Sequence, residues 1–177
     1  MTSPLLLHRA PGAGFEQPFE MLGACHERVE RMLVLLERLA QHLPVHGADA
    51  QAADAARDVM RYFDQAAPLH HEDEELHVFP TLRASGRPEA AALAARLHAD
   101  HERMAAAWAA LRATLLGITQ GQWPAGAAFD AVAPFAAGYR AHIRAEEGEA
   151  YPDAAADIVG AARDAMGKEM AARRGLR

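Results

Sequence analysis

This 177-residue sequence predicts an all-α protein, an up-down-up-down four-helix bundle with a short C-terminal helix. Three observations carry that prediction. Alanine, leucine, glutamate and arginine abound and β-branched residues are sparse, which favours helix. The run His70-His71-Glu72-Asp73-Glu74-Glu75-Leu76-His77-Val78-Phe79-Pro80 returns 72 residues later as His142-Ile143-Arg144-Ala145-Glu146-Glu147-Gly148-Glu149-Ala150-Tyr151-Pro152. Both read His-x-x-x-Glu-Glu-x-x-x-aromatic-Pro, with Phe63 and Phe135 each seven residues upstream. A second pair, Ala24-Cys25-His26-Glu27-Arg28 and Ala99-Asp100-His101-Glu102-Arg103, repeats at an offset of 75, and so do Leu22/Leu97, Val29/Met104, Leu33/Trp108 and Leu36/Leu111. Similarity at a fixed offset indicates a duplicated helical hairpin. Short loops between long helices make neighbours antiparallel.

Residues 1 to about 16 are rich in Pro and Gly and are expected to form an irregular arm. The first helix is expected from Pro18 to Leu43, on the stripe Leu22, Val29, Leu33, Leu36, Ala40, Leu43. His26 lies four residues after Leu22 and three before Val29, so it points inward. Pro44, His46 and Gly47 suit a turn, and Asp49 suits the N-cap of a second helix. That helix carries Ala53, Ala56, Met60 and Phe63, then meets Pro68, which either kinks it or divides it. It ends near Arg83, before Ser85-Gly86. Pro88-Glu89 opens the third helix, with the stripe Leu93, Leu97, His101, Met104, Trp108, Leu111, Leu115. A loop from Gly117 to Ala128 leads to a fourth helix from about Phe129 to Ala150. Asp153 is expected to cap a short fifth helix through Ala165. The bundle would then occupy residues 17–165, and residues 166–177 would form a polar tail.

A formal charge of −6 without a Lys/Arg cluster argues against a nucleic-acid surface. Arg173-Arg174 with Arg177 reads as a solvated helix end. The single cysteine, Cys25, excludes an internal disulfide and a thiolate zinc site, and fits a small buried residue or else a free thiol beside His26. Leu5-Leu6-Leu7 stops at His8-Arg9, too short for a signal peptide or a spanning helix, so a cytoplasmic location is expected. There is no Gly-x-Ser-x-Gly, phosphate loop or dinucleotide fingerprint.

The inward stripes place His26, His70, Glu74, His101, His142 and Glu146 inside the bundle. Unpaired buried carboxylates cost several kcal/mol, and two facing each other cost more. Divalent cations reverse that sign. Imidazole nitrogen and carboxylate oxygen suit iron, manganese or zinc, and facing helices are where such ligands converge. Glu74 and Glu146 sit at equivalent positions, so each could bridge two metals while the four histidines divide into two pairs. A bridging oxo or hydroxo group would make each metal five-coordinate and leave a position for a small molecule. A lone His-x-x-x-Glu pair is more often a solvent-facing pair worth a few tenths of a kcal/mol. Two such pairs in one register, with two further histidines on apolar stripes, favour the metal.

Weaker candidates surround this set. Glu75 and Glu147 recur about 100° round the helix from the main stripe, where they would support ligands or face water. His77 shares the stripe and could line the pocket. His71 and His98 could each act as a terminal ligand. Tyr139 could donate a hydrogen bond to a bridging group or simply pack. His8, His42 and His46 have no expected role.

These residues resemble the hemerythrin-like HHE cation-binding family over about Pro18 to Ile158. His26, His70-x-x-x-Glu74, His101 and His142-x-x-x-Glu146 match its pattern in order. The resemblance implies a non-haem di-iron centre in a four-helix bundle, two oxo- or hydroxo-bridged iron ions, and binding or sensing of O2, NO or iron. The match departs from the oxygen carriers of the family in two places. Their third helix carries His-x-x-x-His, and Leu97 stands at the first of those positions here. Their fourth helix uses His-x-x-x-x-Asp, and here Glu146 comes one residue earlier, with Glu147 at the fifth place. One terminal imidazole fewer puts reversible oxygen carriage in doubt and leaves one metal more open. The rival ferritin-like motif, Glu-x-x-His on two helices, occurs once at Glu74 to His77 without a matching partner. The primary expectation is a binding or sensing protein with a small-molecule ligand. The alternatives are a peroxide-degrading di-iron enzyme and a zinc or mixed-metal structural bundle. No membrane or nucleic-acid partner is expected, and protein partners and oligomeric state stay open.

Overall fold

The computed structural model describes residues 14–124 and 127–176. Among these residues the regular structure is entirely helical. The elements are α1 (Pro18–His46), α2 (Ala50–Asp73), a π-helical turn π1 (Glu74–Val78), α3 (Phe79–Ala84), α4 (Pro88–Thr119), α5 (Val132–Ala145), a second π-helical turn π2 (Glu146–Ala150), α6 (Tyr151–Asp157) and α7 (Ala161–Arg173). α2, π1 and α3 run on without a break, as do α5, π2 and α6. The result is a helical bundle in which α1 packs on α2 and α5, and α4 packs on α2, α3 and α5.

Two apolar clusters build the interior. One holds Val29, Leu33, Leu36, Leu43, Ala56, Val59, Phe63, Leu111, Leu115 and Phe135. The other holds Leu22, Cys25, Val78, Phe79, Leu82, Leu97, Tyr151, Met166 and Met170. Full burial of one Leu or Phe is worth about 1.5–3 kcal/mol. The buried polar side chains fall where the chain passes between the clusters. His26 lies between Cys25 and Val29, His70 between Ala67 and Val78, His101 between Leu97 and Met104, and His142 between Tyr139 and Ala150. The apolar periodicity of each helix thus sets the height of one polar layer.

Local signals explain most boundaries. Pro18 and Pro88 occupy the first turns of α1 and α4, where no N–H is required. The Asp49 side chain accepts from the Ala52 N–H at 2.8 Å, the cap expected for α2. α1 runs three residues past Leu43, through Pro44, and closes at Gly47, whose φ of 67° suits glycine. α2 continues through Pro68, which therefore does not divide it. α5 starts at Val132 rather than Phe129.

The C-terminal region differs most from expectation. Asp153 is not a cap: it lies in the first turn of α6, in a helix that continues past Pro152 to Asp157. The break comes at Gly160, with φ 52°. Most of residues 166–177, expected as a polar tail, belongs to α7, which runs to Arg173 and buries Met166 and Met170. Gly167 lets the chain at Phe15 lie on α7, since a Cβ there would sit 1.9 Å from the Phe15 carbonyl oxygen. Of the arm expected over residues 1–16, residues 1–13 lie outside the described residues. No helix among the described residues is long and apolar enough to cross a membrane.

Candidate metal centre

His26 on α1, His70 on α2, His101 on α4 and His142 on α5 meet the two carboxylates that open the π-helical turns, Glu74 and Glu146. All six are buried, with both glutamates at 0% exposure. Two groups have ligand atoms close enough to share an ion: His26, His70, Glu74 and Glu146, and Glu74, His101, His142 and Glu146. The carboxylates belong to both groups, one oxygen toward each. Glu74 Oε1 lies 3.2 Å from His70 Nε2, while its Oε2 lies 3.3 Å from His101 Nε2. Glu146 Oε2 lies 3.2 Å from His26 Nε2, while its Oε1 lies 2.8 Å from His142 Nε2.

These contacts are close but misdirected. Glu74 Oε2 and both oxygens of Glu146 make no hydrogen bond among the described residues, although imidazole nitrogens stand 2.8–3.8 Å away. Leaving a buried polar atom unmade costs about 1–3 kcal/mol. In each group the nitrogens and oxygens nonetheless lie within 4.8 Å of one another, as the ligands of a shared cation do. Donor type and placement therefore fit a pair of metal ions.

The π turns help to place the carboxylates. In each, the residue after the turn, Phe79 or Tyr151, donates its N–H to the carbonyl of Glu74 or Glu146, five residues back. Wide turns of this kind concentrate at functional sites. The prolines that follow suggest their origin. Pro80 and Pro152 supply no N–H, and a proline ring crowds the carbonyl four residues earlier. Those carbonyls belong to Leu76 and Gly148, inside the turns.

Carboxylates behind the imidazoles hold three of the four rings. Glu147 Oε1 lies 2.9 Å from His26 Nδ1, Glu75 Oε1 lies 2.8 Å from His101 Nδ1, and Asp100 Oδ2 lies 3.4 Å from His142 Nδ1. A carboxylate there fixes the ring and leaves Nε2 free to bind metal. His70 Nδ1 has no such partner among the described residues.

Without a cation the electrostatics are strained. Burial, then the facing Glu146, pushes the Glu74 carboxyl up to about 7. Burial pushes Glu146 the same way, but His101, His142 and His26 outweigh it and hold it well below the usual range. Burial opposes charge on His101 as well, yet Glu146, Glu74 and Glu75 raise it to about 10, and His26 rises for similar reasons. Protons thus supply the positive charge that a metal pair would supply. Burial lowers His70 far below its ordinary value.

The weaker candidates separate. Glu147 supports His26, as described. His71 lies outside the ligand groups, stacked on His101 with ring centroids 3.9 Å apart and planes 11° off parallel. Burial holds it down to about 3. His77 does not line the site: its Nε2 lies 2.6 Å from Glu169 Oε2 on α7. The π turn displaces it from the stripe that α-helical spacing assigned. His98 is half-exposed, 3.7 Å from Glu75, and joins neither ligand group. Leu97 is fully buried in the apolar cluster beside it. Tyr139 packs on Phe63 and Phe135, with its ring 6.1 Å from His71.

Three contributors escaped sequence reasoning. Asp100, next to His101, supports His142 on a different helix. Tyr151 donates a hydrogen bond to Glu74 Oε1, lies 3.1 Å from His26 Nε2 and stacks on the His26 ring. Burial, with Glu146 and Glu74 close by, raises its phenol well above 10. Asp73, wholly buried beside Glu74, is gripped by Arg173 and Arg174, the residues read as a solvated end.

Two comparisons bear on this centre. Residues 17–154 match the family model described as the hemerythrin HHE cation binding domain. A protein of Haemophilus influenzae, named only as uncharacterized, is 37% identical over 103 residues, which cover 58% of this chain. The chain spans 59% of the length of that relative.

Proposed function

This chain belongs to the hemerythrin HHE cation-binding domain family, and from that premise we propose that it binds or senses O2, NO or iron at a carboxylate-bridged di-iron centre. One observation carries the proposal. Each of Glu74 and Glu146 divides its two oxygens between two histidine pairs, an arrangement suited to two ions and wasteful for one. In this reading the scaffold is an up-down-up-down four-helix bundle. His26 and His70 would hold one iron and His101 and His142 the other, with Glu74 and Glu146 offering an oxygen to each. Manganese or zinc would fit the same donor types.

Bound iron would supply redox exchange and an electrophilic site for a small uncharged or anionic ligand. The chain supplies the rest. Glu147, Glu75 and Asp100 keep three imidazoles oriented. The two apolar clusters exclude bulk water from above and below. An apolar groove of about 340 Å³ between α4 and α5, lined by Met104, Leu111 and Phe135, reaches Asp100 beside His142 and suits the approach of an apolar diatomic.

The test is elemental analysis of protein purified without added metal, with an optical spectrum before and after air reaches the reduced form. Two irons per chain and a stoichiometric spectral change support a binding or sensing role. Sustained peroxide loss, abolished in Glu74→Ala, would move the assignment to an enzyme. One zinc and no iron would move it to a structural bundle.

A further inference from the structure

We propose that Tyr151 is itself a ligand, through its phenolate oxygen, to the metal held by His26, His70, Glu74 and Glu146. The inference rests on the two-iron reading above and deepens it.

The hydroxyl oxygen touches two donors of the same group. It hydrogen-bonds Glu74 Oε1 and stands 3.1 Å from His26 Nε2. With metal–ligand bonds of about 2.0–2.2 Å, adjacent ligand atoms on one ion sit about 3 Å apart. The phenol oxygen is therefore placed as a neighbouring ligand would be. Its ring cannot easily turn away: it is buried, lies 5.4 Å from the His26 ring with planes 9° off parallel, and meets Phe19 edge-on at 6.2 Å.

The duplicated half provides an internal control. The residue equivalent to Tyr151 is Phe79, which carries no oxygen and packs 5.2 Å from His101. A phenylalanine satisfies the packing at that position, so the added hydroxyl in the second half calls for a chemical explanation. Phenolate oxygen is a hard, anionic donor suited to ferric iron, as in tyrosinate-ligated haem. When iron binds, the phenol O–H bond breaks, an iron–oxygen bond forms and the proton passes to solvent. No oxidant is needed for that exchange if the iron enters as ferric ion. The first metal then has five protein donors and the second, at His101 and His142, has four, so an external ligand binds at the second.

The test compares ferric-loaded full-length wild-type protein with Tyr151→Phe. The readouts are iron content, visible absorption and resonance Raman scattering excited in the visible band. The wild type is expected to show a broad visible charge-transfer band with enhanced tyrosinate ring modes. Tyr151→Phe is expected to keep two irons per chain and lose both signatures. A wild type with two irons but no tyrosinate modes overturns the proposal, as does an iron-replete Tyr151→Phe with an unchanged spectrum. If the variant fails to fold, wild type grown on ring-deuterated tyrosine decides. The modes must shift, and they must persist in Tyr62→Phe and Tyr139→Phe, which remove the other two tyrosines. Modes that do not shift, or that vanish with either of those variants, overturn it. A wild type without iron instead defeats the two-iron reading.

Discussion

The two halves of this molecule present the same candidate ligands in different surroundings. His26, His70, Glu74 and Glu75 of the first half correspond to His101, His142, Glu146 and Glu147 of the second. Even the supporting contacts cross over in parallel: Glu147 of the second half holds His26, and Glu75 of the first holds His101. The neighbours do not follow this symmetry. Cys25 corresponds to Asp100, Ala67 to Tyr139, His71 to Ile143, Asp73 to Ala145 and Phe79 to Tyr151. Duplication therefore accounts for a symmetric cage, and the later differences make its two ends chemically distinct.

Experiments can attack that comparison at several strengths. Removing a shared carboxylate should produce the largest effect. Glu146→Ala is expected to abolish binding at both positions, because each ion loses a donor. Elemental analysis checks this, and retention of one full equivalent would show that the halves load independently.

Stripping the metal should next expose the protons that replace it. His101 is held at about 10 in the folded, metal-free chain against an ordinary 6.5. A histidine with a raised folded value adds stability that is complete below pH 6.5 and is lost as pH rises through 10. Melting temperature of the metal-free protein should therefore fall across pH 6.5–10. The loaded protein, with His101 deprotonated as a ligand, should lack that contribution. Parallel slopes for the two forms would exclude His101 as a ligand.

The Asp73 clamp exists in the first half alone. Replacing Arg173 and Arg174 together by Ala strands a buried carboxylate, which costs about 3–5 kcal/mol. Adding Asp73→Ala, which restores the residue found at Ala145, should recover much of that loss in denaturant unfolding. Additivity would mean that the arginines act elsewhere.

The smallest effects should come from Glu75→Gln and Glu147→Gln. Loss of a supporting carboxylate typically weakens metal binding by about 10–100-fold. Competition with a chelator should show similar losses for both, since both hold equivalent rings. A large imbalance would locate the asymmetry of the centre here instead of at Tyr151.

The six residues that converge were legible because helical spacing and duplication act on the same positions. Apolar residues on either side of His26 and His101 fix which way those rings face, and this depends only on local periodicity. What escaped depends on geometry that period cannot express. The π turns alter the angular step just where Glu74 and Glu146 stand, so His77, three residues on, leaves the stripe and meets Glu169. Pro80 and Pro152, in matched positions, were the available signal. Asp100 and Tyr151 act across helices, and no pattern along one helix reports which neighbouring ring a side chain will meet. Arg173 and Arg174 were misread because their partner lies 100 residues away in sequence.

That separation bears on how the molecule is assembled. Contacts between distant stretches form late, because closing a long loop costs entropy before any contact repays it. A growing chain can fold the hairpin of α1 and α2 early, yet the carboxylate beside Glu74 stays without its counter-charges until α7 has been synthesised. A metal ion delivered to such a nascent chain would meet half a cage with a loose wall, so maturation of the centre belongs after translation of α7.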